Sequence, residues 1–434
     1  MNARKTAVDC LIRCERGGYS NLVLMQELER SGLDARDRAF CTALFYGTVS
    51  RKLTADHLIN RFVKRGTASL DVEVLCILRA GIYQLFWMDS VPSSAAVNES
   101  VKLCRAFRKS SASGLVNAVL RRCAEQDPDS IWKGIDDRIG MLSVRYSVGQ
   151  ELLSLLDSQY GDRLESVIVA LQKESSVHVR VNSLRWDVRQ AVESLKAEGI
   201  EAEETDIPNC LKVISGNPAA SEAMRAGRIH IQSYPALFAA MCVGAGPDER
   251  VLDMCSAPGG KTVCMAQDMK NRGELTALDI HPSRVKLIKD IAERQGIGII
   301  DAVCADAASF DADGVFDRVL CDVPCSGYGE MAAKPELRYK DPSVSADLPE
   351  LQYRILCKGA RATAPGGRLV YSTCTLLKRE NEDIVERFLG ENRDFIPAKP
   401  EFIPCSSVAQ GNMISFIPNE TDAEGFFVAV FTKI

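Results

Sequence analysis

Apolar residues recur with the spacing of an amphipathic helix throughout residues 1–126. The segments 74–85 and 96–104 place Val, Leu, Ile or Ala at positions i, i+3 and i+4, and Pro92 falls in the break between them. This spacing gathers the apolar side chains on one face, which then has to pack against neighbouring helices. The pattern therefore predicts an all-α first domain.

The pattern changes at Asp127, where a proline and a second aspartate mark a loop. Amphipathic helix continues at first, and residues 177–181 then alternate apolar and polar side chains as a strand does. Residues 187–198 return to helical spacing, and residues 211–214 are again strand-like. We expect a helical linker and a small α+β region, which together span residues 127–245.

Short apolar runs alternate with helical segments from residue 250 onward. This alternation is typical of buried parallel strands joined by helices, so it predicts a doubly wound α/β domain with a cleft at the carboxyl ends of its strands. Two late strands, 413–417 and 426–431, have no long helix between them, which favours an antiparallel pair at the edge. The runs of parallel type are 251–254, 275–279, 299–304, 318–321 and 368–371.

Length and composition agree with several folded domains. The chain has 434 residues, of which 46% are hydrophobic and 26% charged, as in ordinary globular proteins. The predicted fold class is multidomain: all-α for residues 1–126, helical and α+β for 127–245, and Rossmann-like α/β for 246–434. No run approaches the roughly 18 apolar residues of a membrane span, and the first residues lack the apolar core of a secretion signal. We therefore expect a cytoplasmic protein with no membrane partner.

Charge is distributed unevenly along the chain. The net charge is −5, yet residues 1–126 carry 19 basic and 12 acidic side chains, which leaves 34 basic and 46 acidic side chains in the rest. A basic first domain indicates binding to a polyanion such as RNA, although an ordinary solvated helix surface would give the same count. The 16 cysteines form no CxxC pair and the four histidines are scattered, so we expect reduced thiols, most of them buried, and no metal site.

A tight turn follows the first predicted parallel strand. A phosphate-binding P-loop would need glycine at the position of Cys255, and a dinucleotide fingerprint would need a third glycine, so neither motif is present. The Pro-Gly-Gly turn exposes backbone N–H groups at a helix start, which suits a small carboxylate or similar anion. The alternative is an ordinary strand-to-helix turn. Its residues are Cys255, Ser256, Ala257, Pro258, Gly259, Gly260 and Lys261.

Two acidic residues follow the next two strands in turn. Asp279 ends the second strand, where a carboxylate suits a ribose diol, and Asp306 follows the third, where it can accept a hydrogen bond from an adenine amino group. Either aspartate alone is as easily a structural cap of its own turn. Their serial placement indicates an adenosine group without a polyphosphate, and S-adenosylmethionine (SAM) fits that description.

Two thiols and a carboxylate follow two further strands. Asp322 and Cys325 belong to Asp-Val-Pro-Cys-Ser-Gly after the fourth strand, and Cys374 follows Tyr-Ser-Thr after the fifth. A thiolate that adds to C6 of a cytosine makes C5 nucleophilic enough to take a methyl group, and a carboxyl group near the ring N3 stabilises the developing charge. The alternative is that both cysteines are buried packing residues.

Taken together, these motifs resemble those of the RNA cytosine-C5 methyltransferases. Segments of the first domain, namely 46–48, 78–85, 91–92 and 116–122, resemble the helical NusB-like RNA-binding domain that is fused to the methyltransferase in the RsmB/Sun/Fmu family. The resemblance covers nearly the whole chain. Its catalytic-domain motifs are Cys-Ser-Ala-Pro-Gly-Gly-Lys, Asp279, Asp306, Asp-Val-Pro-Cys-Ser-Gly, Ser-Thr-Cys, Glu380-Asn381-Glu382 and Gly425-Phe426-Phe427.

The resemblance implies a SAM-dependent methyltransferase that acts on C5 of a cytosine in small-subunit (16S) rRNA before the subunit is fully assembled. It implies that Cys374 is the nucleophile, that Cys325 helps to release the methylated product, and that residues 255–261 with Asp279, Asp306 and Asp322 surround SAM. We expect a monomer without a metal.

This chain departs from the family at several positions, among them Ser256 and Val323, where the family usually has alanine. The stretch 330–338 carries fewer arginines than the family pattern, so its contacts to RNA are open. Two other functions stay open as well. The chain could be a NusB-like assembly scaffold that no longer responds to SAM, or an enzyme that methylates tRNA, large-subunit rRNA or DNA.

Overall fold

The computed structural model describes residues 2–18, 20–173, 176–418 and 423–434. The chain divides into two compact units, one of residues 1–168 and 333–342 and one of residues 169–332 and 343–434. Within the described ranges, no helix is long and apolar enough to cross a membrane. The predicted domain boundaries at residues 126 and 245 stay a prediction.

The first unit is helical. Helix α5 is its centre: it buries Val74, Ile77, Leu78 and Ile82 against the surrounding helices, as the spacing of its apolar residues predicts. The helices, of which the last continues into the second unit, are α1 Ala3–Glu15, α2 Ser20–Ser31, α3 Ala35–Ser50, α4 Lys52–Phe62, α5 Val72–Trp87, α6 Ser93–Ala106, α7 Ser113–Ala124, α8 Arg138–Tyr146, α9 Gln150–Tyr160 and α10 Leu164–Leu171.

Residues 333–342 are part of this helical unit, although they follow the Pro-Cys motif in sequence. The hydroxyl of Tyr339 donates to the carbonyl of Val49 at 2.6 Å, and the guanidinium of Arg338 donates to the carbonyl of Ser50 at 3.2 Å. Arg338 is buried, and its desolvation lowers its pKa to about 10. Arg338 is therefore a buried structural residue of the helical unit.

The second unit begins with a small antiparallel sheet, the α+β region that the sequence predicts. Its strands lie in the order β2-β3-β1-β4, and Val179, Val181 and Leu211 bury their side chains against α11. Its elements are β1 His178–Val181, α11 Val188–Ala197, β2 Glu201–Glu204, β3 Cys210–Ser215, α12 Glu222–Arg225 and β4 Ile229–Ile231.

A larger mixed sheet forms the rest of the unit. The strand order is β11-β12-β13-β9-β8-β5-β6-β7, and β10 pairs with β13. Strands β5 to β9 are parallel, whereas β12, β13 and β9 pair antiparallel. The strands are β5 Arg250–Asp253, β6 Glu274–Asp279, β7 Ile300–Cys304, β8 Phe316–Asp322, β9 Thr363–Thr373, β10 Phe395–Pro397, β11 Val408–Gln410, β12 Met413–Phe416 and β13 Phe426–Lys433.

Helices cover both faces of this sheet. One face packs against Phe238, Val263 and Ile288, and the other packs against Leu356 and Phe388. The doubly wound fold predicted from the alternating pattern is confirmed, and parallel β5 to β9 all end at one edge. The helices are α13 Tyr234–Val243, α14 Gly260–Asp268, α15 Pro282–Gln295, α16 Leu348–Ala362 and α17 Glu382–Glu391.

Candidate active site

The loop after β5 surrounds a buried carboxylate. Asp253 ends β5, and its Oδ2 accepts a hydrogen bond from the hydroxyl of Thr262 at 2.7 Å. Its Oδ1 is buried and has no hydrogen-bond partner in the described part of the chain. Burial raises the pKa of Asp253 to about 6, although the Thr262 hydrogen bond acts in the opposite direction. Because buried polar atoms are nearly always paired, this oxygen is a candidate acceptor for a ligand at the loop.

Residues 255–260 form the predicted turn between β5 and α14. Gly259 adopts a φ of +106°, and a Cβ there would lie 2.7 Å from the Ile291 side chain, so the turn requires glycine. The backbone N–H of Ser256 donates to the carbonyl of Leu278 at 2.8 Å, which ties the turn to β6. The first N–H groups of α14 have no partner within the helix and suit an anionic group.

The two aspartates of the neighbouring strands lie at the same sheet edge. Asp279 ends β6 and accepts a hydrogen bond from the His281 N–H at 2.9 Å. Asp306 follows β7 by two residues, is exposed, and accepts from the Ala308 N–H at 2.9 Å. One oxygen of each carboxylate therefore stabilises the turn that follows its own strand. The two residues follow adjacent strands, beside the loop after β5.

A charged pair joins this loop to the end of β8. Lys261 Nζ lies 2.7 Å from Asp322 Oδ2, and the hydroxyl of Ser372 donates to Asp322 Oδ1 at 2.7 Å. Burial favours the neutral amine, but the charge and hydrogen bond of Asp322, together with the charges of Cys374 and Asp253, outweigh it, so the pKa of Lys261 is raised. The ammonium group also lies 5.4 Å from the ring centre of Phe426. Asp322 is thus held in a fixed orientation at the strand end.

The thiols of Cys325 and Cys374 lie in contact beside the Lys261–Asp322 ion pair. Cys374 Sγ lies 3.1 Å from Cys325 Sγ and 3.4 Å from Glu330 Oε2. The N–H of Cys374 donates to Cys325 Sγ at 3.3 Å. The pKa of the Cys374 thiol is raised well above its ordinary value by the hydrogen bond with Cys325, by burial and by the charges of Glu330 and Asp322. Cys374 therefore needs a base before it can act as a thiolate nucleophile.

Buried polar groups hold the two cysteine loops together. Glu380 Oε2 accepts hydrogen bonds from the Ser326 N–H and from Gln352 Nε2, both at 2.9 Å. Asn381 accepts from the Thr373 hydroxyl at 2.5 Å. Glu380 and Asn381 belong to the Glu-Asn-Glu motif of the sequence. Their hydrogen bonds connect the loop after β8 to the loop after β9.

A close backbone contact fixes the turn that carries Glu330. The N–H of Gly329 donates to the carbonyl of Cys374 at 3.0 Å, and the N–H of Gly425 donates to the carbonyl of Gly329 at 3.1 Å. A Cβ on Gly329 would lie 1.8 Å from the Gly425 carbonyl oxygen and 2.8 Å from that of Cys374. Only glycine allows three segments to approach so closely.

The sequence predicts that most of these residues lie at one edge of the sheet, but it does not predict four of the contacts. It placed Lys261 in the loop without pairing it to Asp322, and it gave no role to Asp253, Glu330 or Gln352. Asp253 could have been found, because it ends the first parallel strand just as Asp279 ends the second. Nothing in the sequence marks Glu330 or Gln352, since one contact depends on a turn and the other on the packing of α16 against the cysteine loops.

The chain matches three family models. The model described as 16S rRNA methyltransferase RsmB/F matches residues 240–432, the NusB family matches residues 1–125, and an RsmF/B-like ferredoxin-like domain matches residues 150–219. These matches confirm the predicted order of a helical NusB domain, a small α+β domain and a methyltransferase domain.

Curated relatives match along the whole chain. A Bacillus subtilis (strain 168) protein described as probable ribosomal RNA small subunit methyltransferase B is 32% identical, over 100% of this chain and 99% of that protein. Ribosomal RNA small subunit methyltransferase B of Xanthomonas campestris pv. campestris is 30% identical, over 92% of this chain and 90% of that protein.

Solved structures share the fold. The crystal structure of PH0851 has a TM-score of 0.84 and 25% identity, and the match covers 100% of this chain and 98% of that one. The crystal structure of NSun6 from Pyrococcus horikoshii with SFG has a TM-score of 0.60 and 19% identity, over 66% of this chain and 98% of that one, which shows a shared fold alone.

The cofactor follows from the family and the fold. The chain has the fold of a SAM-dependent methyltransferase, as its sequence predicts, and S-adenosylmethionine is its cofactor. The site fits this group, because the buried Asp253 Oδ1 lacks a partner within the described residues and the turn at Gly259 begins a helix, whose first N–H groups suit an anion. With its matches to full-length relatives, the chain belongs to the RsmB family of ribosomal RNA small subunit methyltransferases.

Proposed function

We propose that this protein transfers a methyl group from SAM to C5 of a cytosine in small-subunit (16S) rRNA through a covalent bond between Cys374 and C6. The observation that carries the proposal is the meeting of two thiols 3.1 Å apart, beside a fixed aspartate at the strand ends. A single buried cysteine is an ordinary packing residue, but two free thiols in contact in a polar site suit nucleophilic chemistry.

Residues 255–261, Asp279 and Asp306 would hold SAM, and Asp322 would border the cofactor and the target base. The bound cofactor supplies an electrophilic methyl group. These residues offer the groups an adenosylated amino acid needs: helix N-terminal N–H groups for its carboxylate and strand-end carboxylates for its ribose and adenine.

Cys374 performs the first covalent step in this proposal. Its sulfur bonds to C6 of the cytosine, so the electron pair of the C5–C6 double bond becomes available at C5 to attack a methyl group. A proton taken up from solvent when the cytosine binds is shared between Asp322 and the ring N3, and it stabilises the charge that develops on the pyrimidine. Lys261 and Ser372 keep that carboxyl group oriented by their 2.7 Å contacts.

Cys325 acts after methyl transfer. Transfer of the C5 proton to a water molecule returns its electron pair to the C5–C6 double bond and expels the Cys374 sulfur, and we propose that Cys325 assists this release. Its sulfur is within contact distance of the sulfur that has to leave. The Glu380 and Asn381 hydrogen bonds keep the two loops in register during both steps.

The helical domain is proposed to bind the RNA. The target base has to leave any stack to reach Cys374, so the substrate is a single-stranded or loop segment, available before the subunit is fully assembled. We propose that a monomer performs the reaction. Exposed basic side chains that suit the phosphate backbone are Arg61, Lys64, Arg65, Lys102, Arg105, Arg121 and Arg122.

Labelled SAM tests the reaction directly. Incubation with small-subunit rRNA should place label on the RNA, and nucleoside analysis should identify it as 5-methylcytosine. Mapping of 5-methylcytosine by bisulfite in a strain lacking the protein should show one small-subunit site missing. RNA that stays unlabelled would favour the assembly scaffold. A missing site in tRNA, in large-subunit rRNA or in DNA would keep the chemistry and change the substrate.

A further inference from the structure

A carboxylate touches the sulfur of Cys374. Glu330 Oε2 lies 3.4 Å from Cys374 Sγ, at the end of the short helical turn Tyr328–Glu330. The turn is anchored directly before Glu330, because the Gly329 N–H donates to the Cys374 carbonyl, and the Glu330 N–H closes the turn by donating to the Gly327 carbonyl at 2.9 Å. These short backbone contacts hold the Glu330 carboxylate beside the Cys374 sulfur.

Other charged and titratable groups face the same sulfur. Cys325 Sγ lies 3.1 Å away, and Asp322 and Lys261 act on the thiol by their charges. Asp322 accepts hydrogen bonds from Lys261 and Ser372, one on each oxygen, and these contacts orient it as part of the ion pair. Of the carboxylates in the described residues, Glu330 is the one that accepts a hydrogen bond from Cys374 Sγ.

We propose that Glu330 is a catalytic residue, the general base that takes the proton of Cys374 as its sulfur attacks C6. This inference rests on the proposed function. The S–H bond breaks and its proton passes to Glu330 Oε2, while the S–C6 bond forms and the C5–C6 pair shifts to C5. When the S–C6 bond later breaks, its electron pair returns to sulfur, which recovers the proton from Glu330.

Electrostatics favour this path over a free thiolate. A preformed thiolate would lie beside two carboxylates in a buried site, and the pKa of the thiol is accordingly raised well above its ordinary range. Transfer of the proton to Glu330 during attack leaves the net charge of the pair unchanged. The negative charge then moves from the carboxylate through sulfur to the pyrimidine, where the proton shared by Asp322 and the ring N3 compensates it.

Single-turnover methyl transfer across about pH 6 to pH 9 tests the role. E330Q keeps the size of the side chain and removes the base, so the rate near pH 7 should fall by about 100-fold. The deficit should shrink as the pH rises, because hydroxide then deprotonates the thiol. SAM affinity should be unchanged. The matched control is E350Q, an exposed carboxylate on α16 paired with Arg387, which should retain the wild-type rate and profile.

Two results would overturn the role of Glu330. One is an E330Q rate equal to wild type near pH 7, and the other is a loss of the same size at every pH. If E330Q does not fold, E330A with added formate replaces it. Recovery in proportion to formate supports the role, whereas no recovery, or full activity without formate, overturns it. A wild-type enzyme that makes no 5-methylcytosine would instead defeat the proposed function itself.

Discussion

Lys261 and Asp322 form an ion pair with 2.7 Å between Nζ and Oδ2, at the point where the loop after β5 meets the end of β8. Both side chains are largely buried, so each charged group is stabilised by the opposite charge of the other. Lys261→Met should lower the free energy of unfolding by about 2–3 kcal/mol, because it leaves the carboxylate without its cation. Urea denaturation measures the loss.

The double variant Lys261→Met/Asp322→Asn separates stability from chemistry. It removes both charges, so it should regain most of the lost unfolding free energy while methyl transfer stays at least about 100-fold below wild type. A double variant as unstable as the single one would mean that the two charges do not depend on each other.

Removal of the proposed nucleophile should separate binding from catalysis. Cys374→Ala should abolish methyl transfer to RNA, since the proposed covalent step needs the sulfur of residue 374, and SAM should bind as before. Isothermal titration with SAM and a labelled-methyl assay measure the two properties. Cys405→Ala is the matched control, because Cys405 is an exposed thiol outside the site. Wild-type turnover by Cys374→Ala would end the nucleophile assignment.

The glycine contact at Cys374 predicts a sharp difference between two glycine substitutions. Gly329→Ala would bring a Cβ to 1.8 Å from the Gly425 carbonyl oxygen, so the backbone has to move and both stability and activity should fall. Gly390→Ala, at an exposed position of α17 with no atom within 4 Å of the new Cβ, should stabilise the protein by up to about 1 kcal/mol. Thermal denaturation and rate measurements on both variants check this. Equal behaviour of the two would show that the close approach is relaxed in solution.

The buried Asp253 predicts a dependence of stability on pH. Its pKa is raised to about 6 by burial, against about 3.9 in an unfolded chain, so the folded state holds an extra proton between these values. The stabilisation is complete below about pH 4 and is lost as the pH rises through about 6. The unfolding free energy of wild type, measured relative to Asp253→Asn, should therefore fall by about 3 kcal/mol over this interval.

Denaturation of wild type and Asp253→Asn at several pH values measures this difference. The asparagine can still accept the Thr262 hydrogen bond, so the variant keeps the local geometry while it removes the titration. A difference that does not change with pH would mean that Asp253 is ionised in the folded protein throughout.

The fold could be predicted largely from local pattern. Residues 275–279 and 368–371 are mostly apolar because their strands are covered by helices on both faces, and α5 shows its helical spacing because one face is buried. The antiparallel pairing of β12 with β13 followed from the lack of room for a crossover helix.

Contacts between distant segments could not be predicted in the same way. Tyr339 binds Val49, 290 residues earlier in the chain, and Glu380 binds Ser326, 54 residues earlier. Such contacts depend on how turns fold over packed elements, which periodicity does not encode. The same is true of Glu330, whose position beside Cys374 depends on the backbone approach of Gly329 to Gly425. The roles of the site residues stay predictions.

The covalent adduct is the most direct test of the account. In Cys325→Ala, release of the methylated product should be impaired, so incubation with SAM and small-subunit rRNA should accumulate a protein–RNA species that migrates slowly on a denaturing gel. Nuclease digestion and peptide mass spectrometry of that species should locate the nucleotide on Cys374. A nucleotide on any other residue, or no adduct while methyl transfer proceeds normally, would contradict the account.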